Sequence, residues 1–357
     1  MAMYSYPGNI HIHSHYSDGS GSIEEIISDA AAAGLSYIIV ADHETLDGLP
    51  EESIRQGVVL LVGAELNRMK CHYLALGLNK MIPSNETEPQ QVIDQVSAAG
   101  GTGFLAHPFE KGSPYLEKGK AYPWNSWPVF NFNGMEVWNY TSHWRGRHPS
   151  LLKTLYWFFL DRKEAMNGPS PELLRLWDCY NLHRGLTVGI GSSDAHAYPY
   201  KFGPFKVVVF PYYYLFKTIN TYIVLKEELS KELKRARQQI LGSLVSGCCY
   251  FSFDSLHPGS DFSFYANTYQ GQVYMGGETD SIENLELHVK SPAKRSQIRL
   301  IYNGKLLETA NGQSAVFRPS KPGVYRAEVY YRPLLRHPRP WIYSNPIFVK
   351  PPAAVND

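Results

Sequence analysis

Short apolar runs alternate with helix-like segments through the first 210 residues, and this alternation limits the chain to few folds. The runs lie at residues 37–41, 58–62, 103–106, 134–138 and 187–191. Before the first of them, Ser22 and Glu25 form a capping-box pattern that opens a helix, and Gly34 ends it. Strands that alternate with helices form parallel βα units. The pattern therefore predicts an α/β barrel or an open α/β sheet.

The character of the sequence changes after about residue 250. Residues 225–246 are charged and helix-like, and Gly247 stops them. Beyond this point, short alternating runs follow one another, and Asn303-Gly304 is a strong hairpin signal. We therefore predict two domains. The first covers residues 1–250 and includes the helix near 226–246, and the second is a small all-β sandwich over residues 251–357.

The charge balance excludes several classes of partner. The chain has 34 Lys and Arg against 33 Asp and Glu, so we expect neither an obligate nucleic-acid partner nor a membrane partner. No stretch approaches the run of about 20 apolar residues that a membrane helix needs. The four cysteines show no zinc-site spacing, and a disulfide framework is not expected. With no secretory pattern at its start, the chain is expected in the cytoplasm.

Polar residues of the metal-binding types follow the predicted strands at the same relative position. They are His11, His13, Asp18, Asp42, His43, Glu65, His107, Asp194 and His196. The carboxyl ends of barrel strands meet at one rim, so these side chains are expected to converge. Each also has a structural alternative, since Asp42 could cap a helix, Asp18 could start a turn and His107 could end a strand. Together they predict a metal site.

Five motifs carry a resemblance to a known family. They are His-Ile-His-Ser-His-Tyr-Ser-Asp-Gly at 11–19, Ala-Asp-His at 41–43, Gly-Ala-Glu at 63–65, Ala-His-Pro at 106–108 and Gly-Ser-Ser-Asp-Ala-His at 191–196. In this order they resemble the PHP family, the polymerase and histidinol phosphatase superfamily. The resemblance implies a distorted (β/α)7 barrel that holds two or three divalent metal ions.

The same resemblance implies which residues hold the ions. The implied groups are His11, His13, Glu65 and Asp194 for one ion, Glu65 with His107 for a second, and Asp18, His43 and His196 for a third. The second ion needs a further ligand, for which His143 and His72 are candidates. Mixed imidazole and carboxylate ligands suit zinc, manganese or iron(II).

The leading hypothesis is a metal-dependent phosphoesterase acting on a small phosphorylated molecule. The bond is expected to be a phosphomonoester or a phosphodiester, a nucleotide included, attacked by a metal-activated hydroxide. His43 and His196 are candidate proton donors to the leaving group. Arg145, Arg147 and Lys111 are candidate phosphate-binding side chains, with an ordinary solvated loop as the alternative.

Two alternative functions stay open at this point. Some family members with a similar tail after the barrel resemble carbamate or ester hydrolases, and Trp138-Asn139 and residues 341–347 share in that likeness. The second alternative is a catalytically idle metal-binding module whose β-sandwich binds a protein or a carbohydrate. The intact set of ligand residues argues against the idle module.

Overall fold

The computed structural model describes residues 3–114, 117–147, 150–202, 205–280, 282–334 and 336–351. Its helices are α1 (Ile23–Ala33), α2 (Pro89–Ala98), α3 (Tyr140–Arg145), α4 (Leu151–Phe159), α5 (Pro171–Arg184), α6 (Tyr212–Leu215) and α7 (Leu233–Ser246). Short 3-10 turns lie at Leu49–Glu51, Glu117–Gly119 and Arg162–Ala165. Among the described residues, no helix combines the length and the apolar character needed to cross a membrane.

The strands fall into two groups along the chain. The first group is β1 (Tyr4–Ile12), β2 (Tyr37–His43), β3 (Ser53–Arg55), β4 (Val58–Leu66), β5 (Tyr73–Leu76), β6 (Thr102–Leu105), β7 (Gly134–Asn139), β8 (Val188–Ser192), β9 (Pro199–Phe202), β10 (Phe205–Val208), β11 (Ile219–Leu225) and β12 (Cys249–Phe253). The second is β13 (Ser263–Thr268), β14 (Gly271–Tyr274), β15 (Glu278–Thr279), β16 (Glu286–Lys290), β17 (Ser296–Tyr302), β18 (Lys305–Asn311), β19 (Ser314–Phe317), β20 (Gly323–Tyr331), β21 (Arg339–Ser344) and β22 (Ile347–Val349).

A large mixed sheet carries the N-terminal strands in the order β12-β11-β1-β2-β4-β5-β6-β7-β8. β1, β2 and β4 run parallel to one another, and so do β6, β7 and β8. The expectation of parallel βα units is wrong at β5, which runs antiparallel to both of its neighbours. The reason is the short connection from β4 to β5, because a parallel crossover needs a dozen residues or more.

The end of β8 returns to the end of β1. The backbone N–H of His13 donates to the carbonyl oxygen of Ala195 at 2.8 Å, and the N–H of Ala195 donates to the carbonyl of His11 at 3.1 Å. On β11, the Thr221 hydroxyl donates to the carbonyl of Gly191 at 2.7 Å. The architecture is thus mixed α/β, and the ends of β1 and β8 lie side by side.

Helix ends follow the sequence signals at α1 and depart from them at α7. The Ser22 and Glu25 capping box is present, and Gly34 takes the left-handed conformation with a φ of 84°, as predicted. The helix predicted over 225–246 begins only at Leu233. Residues up to Leu225 belong to β11, and the Glu232 side chain caps the first turn of α7.

The C-terminal strands form two layers around a separate apolar cluster. One layer is the sheet β14-β13-β16-β19, and the other contains β17, β18, β20, β21, β22 and β15. Phe264 and Leu287 from one layer meet Ile298 and Val329 from the other in that cluster. Because β21 pairs with β12, the second layer continues the large sheet without a break. The predicted hairpin between β17 and β18 is confirmed, with positive φ at both turn residues.

One buried side chain joins the C-terminal segment to the N-terminal sheet. The Asn345 side-chain carbonyl accepts the Gly189 N–H at 2.7 Å. Its amide donates to the carbonyl oxygens of Gly189 at 3.0 Å and Cys249 at 2.9 Å. Asn345 is fully buried, so water cannot replace these bonds.

Asn345→Ala is expected to lower the free energy of unfolding by about 2–4 kcal/mol, because it leaves backbone groups on β8 and β12 buried without partners. Urea unfolding followed by circular dichroism measures this difference. The control is Asn79→Ala, which changes an exposed asparagine. Equal midpoints for the two variants would contradict the structural role given to Asn345.

Candidate metal centre

The eight residues implied as principal metal ligands lie together in the structure. They sit at or just beyond the carboxyl ends of β1, β2, β4, β6 and β8. They are His11, His13, Asp18, His43, Glu65, His107, Asp194 and His196. Parallel strands place their carboxyl ends on one side of the sheet, and this geometry brings residues that are distant in sequence into contact.

Four side chains converge on one point. His11 Nε2 lies 3.2 Å from Glu65 Oε2 and 3.5 Å from Asp194 Oδ1. His13 Nε2 lies 3.3 Å and 3.4 Å from the same two oxygens. Ligand atoms about 2.1 Å from a tetrahedral ion stand about 3.4 Å from one another. Each of the two imidazole nitrogens therefore lies at the spacing of metal ligands from both carboxylate oxygens.

The second oxygen of Glu65 faces a different pair of imidazoles. Glu65 Oε1 lies 3.3 Å from His107 Nε2 and 2.7 Å from His72 Nδ1. The His107 distance matches a ligand-to-ligand edge, whereas the His72 distance is that of a hydrogen bond. The two oxygens of one carboxylate thus face two separate groups of histidines.

A third group surrounds Asp18 at the mouth of the site. Asp18 lies 3.4 Å from His196 Nε2 and 3.7 Å from both His43 Nε2 and His13 Nδ1. The other ring nitrogen of His43 lies 3.2 Å from Glu65 Oε2. This histidine therefore connects the outer group to the inner one.

Buried carboxylates behind the site orient two of the histidines. The Nδ1–H of His11 donates to Glu136 Oε1 at 2.9 Å, which leaves the Nε2 lone pair aimed at Glu65 and Asp194. Glu136 also accepts the backbone N–H of His107 at 2.8 Å and the Asn139 amide at 3.0 Å. These bonds hold both the ring of His11 and the backbone of His107.

Glu110 orients the ring of His107, as Glu136 orients the ring of His11. Its Oε2 lies 3.2 Å from His107 Nδ1, and its Oε1 lies 2.9 Å from the Arg145 guanidinium. Burial raises the pKa of Glu110, although His107 and Arg145 oppose this effect. A chain of contacts therefore runs from Glu65 through His107 and Glu110 to Arg145.

Several imidazole nitrogens are buried without a hydrogen-bond partner. Those aimed into the converging groups are His11 Nε2, His13 Nδ1 and Nε2, and His43 Nδ1, while His107 Nδ1 faces Glu110 and His143 Nε2 lies elsewhere. A buried nitrogen of this kind carries a desolvation cost that a bound cation would remove. Because these atoms belong to the converging groups, the residues present fit divalent cations.

The pKa values of the site reflect its many opposite charges. Burial acts to lower the pKa of His13 and of His107, but the neighbouring carboxylates raise both to about 9. Burial alone would raise the pKa of Glu65 and of Asp194, and the histidines instead hold both well below their usual range. Without metal, protons on the imidazoles therefore balance the buried carboxylates.

Two of the candidate ligands have unusual backbone conformations. His107 has a φ of 26° and Asp194 a φ of 54°, a region that residues with a Cβ rarely adopt. Such conformations cost about 1–3 kcal/mol and persist where the surroundings enforce them. At the strand ends, the His107 side chain faces Glu65 and the Asp194 side chain faces His11 and His13.

The other predicted site residues lie in different places. His143 packs beside Trp138, outside the converging groups, and burial lowers its pKa to about 4. Arg145 lines the cavity over the metal centre. Arg147 lies over the Trp157 ring, and Lys111 is exposed beside Gly146. Neither of these last two belongs to the cavity lining.

Asp42 fastens the loop that carries Asp18, and it takes no part in the converging groups of the described residues. The Ser14 N–H and hydroxyl donate to its two oxygens at 2.8 and 2.6 Å. The Ser17 hydroxyl donates at 2.5 Å. Asp42 therefore holds this loop in place and does not cap a helix.

Sequence reasoning missed Glu136, Glu110, Arg68 and Tyr198. Glu136 is a fully buried acid within the apolar strand β7, and an acid in such a run is the signal that could have identified it. Tyr198 stacks on His196 with ring centres 4.7 Å apart and donates its hydroxyl proton to Asp18. Arg68 lies 3.8 Å from Asp18 and lines the cavity.

The metal centre opens into a cavity of about 600 Å³. Asp18, His43, Glu65, His107 and Asp194 form part of its wall. Basic side chains also line it: Arg68, Lys120 and Arg145. A ligand in this cavity therefore meets both the candidate metal centre and positive charge.

Glu136→Gln is expected to weaken metal binding by about 10–100-fold, because the variant loses the carboxylate that orients His11. Dissociation constants for Mn²⁺ and Zn²⁺, measured by competition with a chelator, check this expectation. Glu283→Gln, at an exposed position, is the control. Unchanged affinity in Glu136→Gln would contradict the orienting role.

Metal affinity is expected to rise between about pH 6 and about pH 9. Over this range His13 and His107, whose pKa values are both about 9, lose the protons that compete with a cation. Calorimetry in two buffers of different ionisation enthalpy would detect the protons released on binding. An affinity independent of pH would show that these two histidines are not ligands.

Comparisons with known proteins agree with the motifs. Residues 9–120 match the model of the PHP domain family. A phosphoribosyl 1,2-cyclic phosphate 1,2-diphosphodiesterase of Eggerthella lenta is 32% identical over 85 residues, which are 21% of this chain. The chain spans only 32% of the length of this curated relative.

Solved structures give looser likenesses. A two-domain protein of Bacteroides vulgatus, assigned by prediction a PHP-like metal-dependent phosphoesterase, is 15% identical with a TM-score of 0.45, covering 96% of this chain and 95% of its own. A protein of Bifidobacterium adolescentis, also assigned as a metal-dependent phosphoesterase, is 17% identical with a TM-score of 0.33, covering 56% and 92%. An amidohydrolase of Chromobacterium violaceum is 15% identical with a TM-score of 0.30, covering 53% and 87%.

Likenesses at these TM-scores are too loose to establish a common fold. The family match covers the segment that supplies His11, His13, Asp18, His43 and Glu65, together with His107. The resemblance read from the motifs is confirmed over this segment, because residues 9–120 match the PHP domain family.

Proposed function

We propose that this chain is a metal-dependent phosphoesterase that hydrolyses phosphomonoesters or phosphodiesters. One observation carries the proposal: the two oxygens of Glu65 face two groups of histidines, with His11 and His13 on one side and His107 on the other. A carboxylate placed in this way would offer one oxygen to each of two cations. The name of the Eggerthella lenta relative, a diphosphodiesterase, supports a phosphoester as the bond that is cleaved.

The proposal includes two or three divalent ions of manganese, zinc or iron(II). His11, His13, Glu65 and Asp194 would hold one ion, Glu65 and His107 a second, and Asp18, His43 and His196 a third. Bound ions would supply a water of lowered pKa and positive charge opposite the phosphoryl oxygens. We also propose that the N-terminal strands form a distorted (β/α)7 barrel, followed from about residue 251 by a β-sandwich domain.

The chain's own cations would orient the phosphate. Arg68, Lys120 and Arg145 line the same cavity as the candidate ligands, and guanidinium groups bind phosphate oxygens in pairs. Arg145 is held by Glu110, so its position is coupled to that of His107. These side chains would place the phosphorus atom against the metal centre.

Of the two candidate proton donors, His196 suits the role better, and it would fill this role in a centre of two ions, where it is not needed as a ligand. Burial lowers the pKa of His43 to about 3, so that this ring is neutral near pH 7 and offers a lone pair rather than a proton. His196 is partly exposed and lines the cavity where a leaving group would lie. Protonation of the leaving oxygen would complete hydrolysis of a monoester to an alcohol and phosphate, or of a diester to an alcohol and a phosphomonoester.

The state of the cysteines favours a reducing compartment. Cys71, Cys179, Cys248 and Cys249 are all free thiols in the structure. Free thiols are usual where cellular reductants keep disulfides from forming. We therefore propose the cytoplasm as the site of action.

Purified protein is expected to contain about two or three first-row transition metal ions per chain and to hydrolyse p-nitrophenyl phosphate or bis(p-nitrophenyl) phosphate. Glu65→Gln should remove much of the metal and lower turnover by at least about 100-fold, since even the partners that orient metal ligands affect activity by 10–100-fold. Metal analysis by mass spectrometry and a colorimetric assay with added manganese measure both quantities.

Glu283→Gln serves again as the control at an exposed glutamate. Full metal content in Glu65→Gln would overturn the bridging role. Cleavage of aryl carbamates without cleavage of any phosphoester would favour the carbamate hydrolase instead. Bound metal with no turnover on any of these substrates would favour the idle module.

A further inference from the structure

The cavity above the metal centre has two chemically different sides. One side presents the candidate metal ligands together with Arg68 and Arg145. The other is formed by large apolar side chains, among them Leu155, Phe158 and Phe159 of α4. Contact with the second side would not help to bind a phosphate group, because apolar surface neither neutralises its charge nor donates hydrogen bonds to it.

The apolar side is a packed wall. The ring centres of Trp144 and Phe210 lie 5.6 Å apart in an edge-to-face arrangement. Phe158 lies 6.4 Å from each of them. Such aromatic packing holds α3, α4 and the segment before α6 together and gives the wall a defined position relative to Glu65.

At the rim, this wall continues onto exposed apolar residues. The side of α4 that reaches the cavity includes Leu155, 43% exposed, and Phe159, 73% exposed. Met69 is 52% exposed and also lines the cavity. Exposed apolar side chains grouped beside a functional centre mark a surface that an apolar ligand covers.

The size of the cavity agrees with a substrate larger than phosphate. A volume of about 600 Å³ has room for roughly 20 water-sized groups, of which a phosphate accounts for about five. The volume also lies in the range of pockets that enclose a whole organic ligand. The remaining space lies against the apolar wall.

We propose that the substrate is an amphiphilic phosphoester, with its phosphate at the metal centre and an extended apolar alcohol group along the wall of α4. This inference rests on the proposed phosphoesterase function. In the reaction, the oxygen of water bonds to phosphorus as the P–O bond to the alcohol breaks. The alcohol oxygen takes a proton, so that the products are an apolar alcohol and phosphate.

A series of n-alkyl phosphates, from ethyl through butyl and hexyl to octyl, tests the proposal below the concentration at which each forms micelles. The leaving alcohols of the series have nearly the same basicity, so differences in kcat/KM report contacts with the chain rather than intrinsic reactivity. We expect kcat/KM to rise by about fourfold for each methylene group that the wall covers.

Phe159→Ala should reduce the ratio of kcat/KM for octyl over ethyl phosphate by at least about tenfold. The matched control is Leu152→Ala on the same helix, a residue that is 82% exposed and does not line the cavity. The control should leave this ratio at the wild-type value. An equal loss of the ratio in both variants would overturn the role of the wall.

Alkylphosphonates of the same lengths give a readout that needs no turnover. Their affinity, measured by calorimetry, should rise with chain length, and the heat capacity change of binding should become more negative. Hydrolysis at a rate independent of chain length, with affinities equally independent of it, would overturn the inference and leave the phosphoesterase function in place. Affinity that rises with length while no phosphoester is cleaved would instead overturn the proposed function and support the apolar site.

Discussion

The site depends on the buried carboxylate of Glu65. The side chain is almost completely removed from solvent. Five imidazoles lie within hydrogen-bond or ligand distance of its two oxygens, namely those of His11, His13, His43, His72 and His107. A buried charge of this kind is tolerated only when opposite charge surrounds it. Protons on His13 and His107 can provide that charge, and bound cations can provide it instead. Glu65 therefore makes the interior of the protein receptive to positive ions.

Two buried acids behind the histidines fix the orientation of the side chains that surround Glu65. Glu136 holds the ring of His11 and the backbone of His107, while Glu110 holds the ring of His107. Each histidine so held presents one chosen nitrogen to the centre. Through Glu110, the same contacts reach Arg145 at the cavity wall. The arrangement of the candidate metal ligands and the position of Arg145 are thus physically coupled.

The positions of the principal ligands could be predicted because they follow from one rule about strand ends. His11, Glu65 and Asp194 needed only the locations of apolar runs and the residues after them. The rule does not identify Glu136, because this residue lies inside a strand, where the role of a buried acid is recognised only from its contacts. Lys111 and Arg147 lie in irregular segments of the chain, and no regular spacing of residues in the sequence predicts where such segments run.

His72 illustrates a different limit of sequence reasoning. It directly precedes β5, and the antiparallel register that sets Leu66 opposite Tyr73 brings its ring back beside Glu65. His143 was equally plausible by residue type, yet α3 places it beside Trp138. The direction of β5 brings His72 to Glu65, and a run of four apolar residues does not reveal whether its strand is parallel or antiparallel.

The pairing of β21 with β12 has a consequence for any attempt to isolate the metal-binding half. Cutting the chain after β12 would strip that strand of its neighbour and present a row of unbonded amides and carbonyls. It would also remove Tyr343, whose ring stacks on Phe251 at 5.5 Å and meets Trp138 at 5.9 Å. The exposed backbone groups along that edge could pair with those of another fragment, so the excised fragment would be prone to aggregate. The C-terminal sheets thus act as a protective cover for the sheet that carries the histidines.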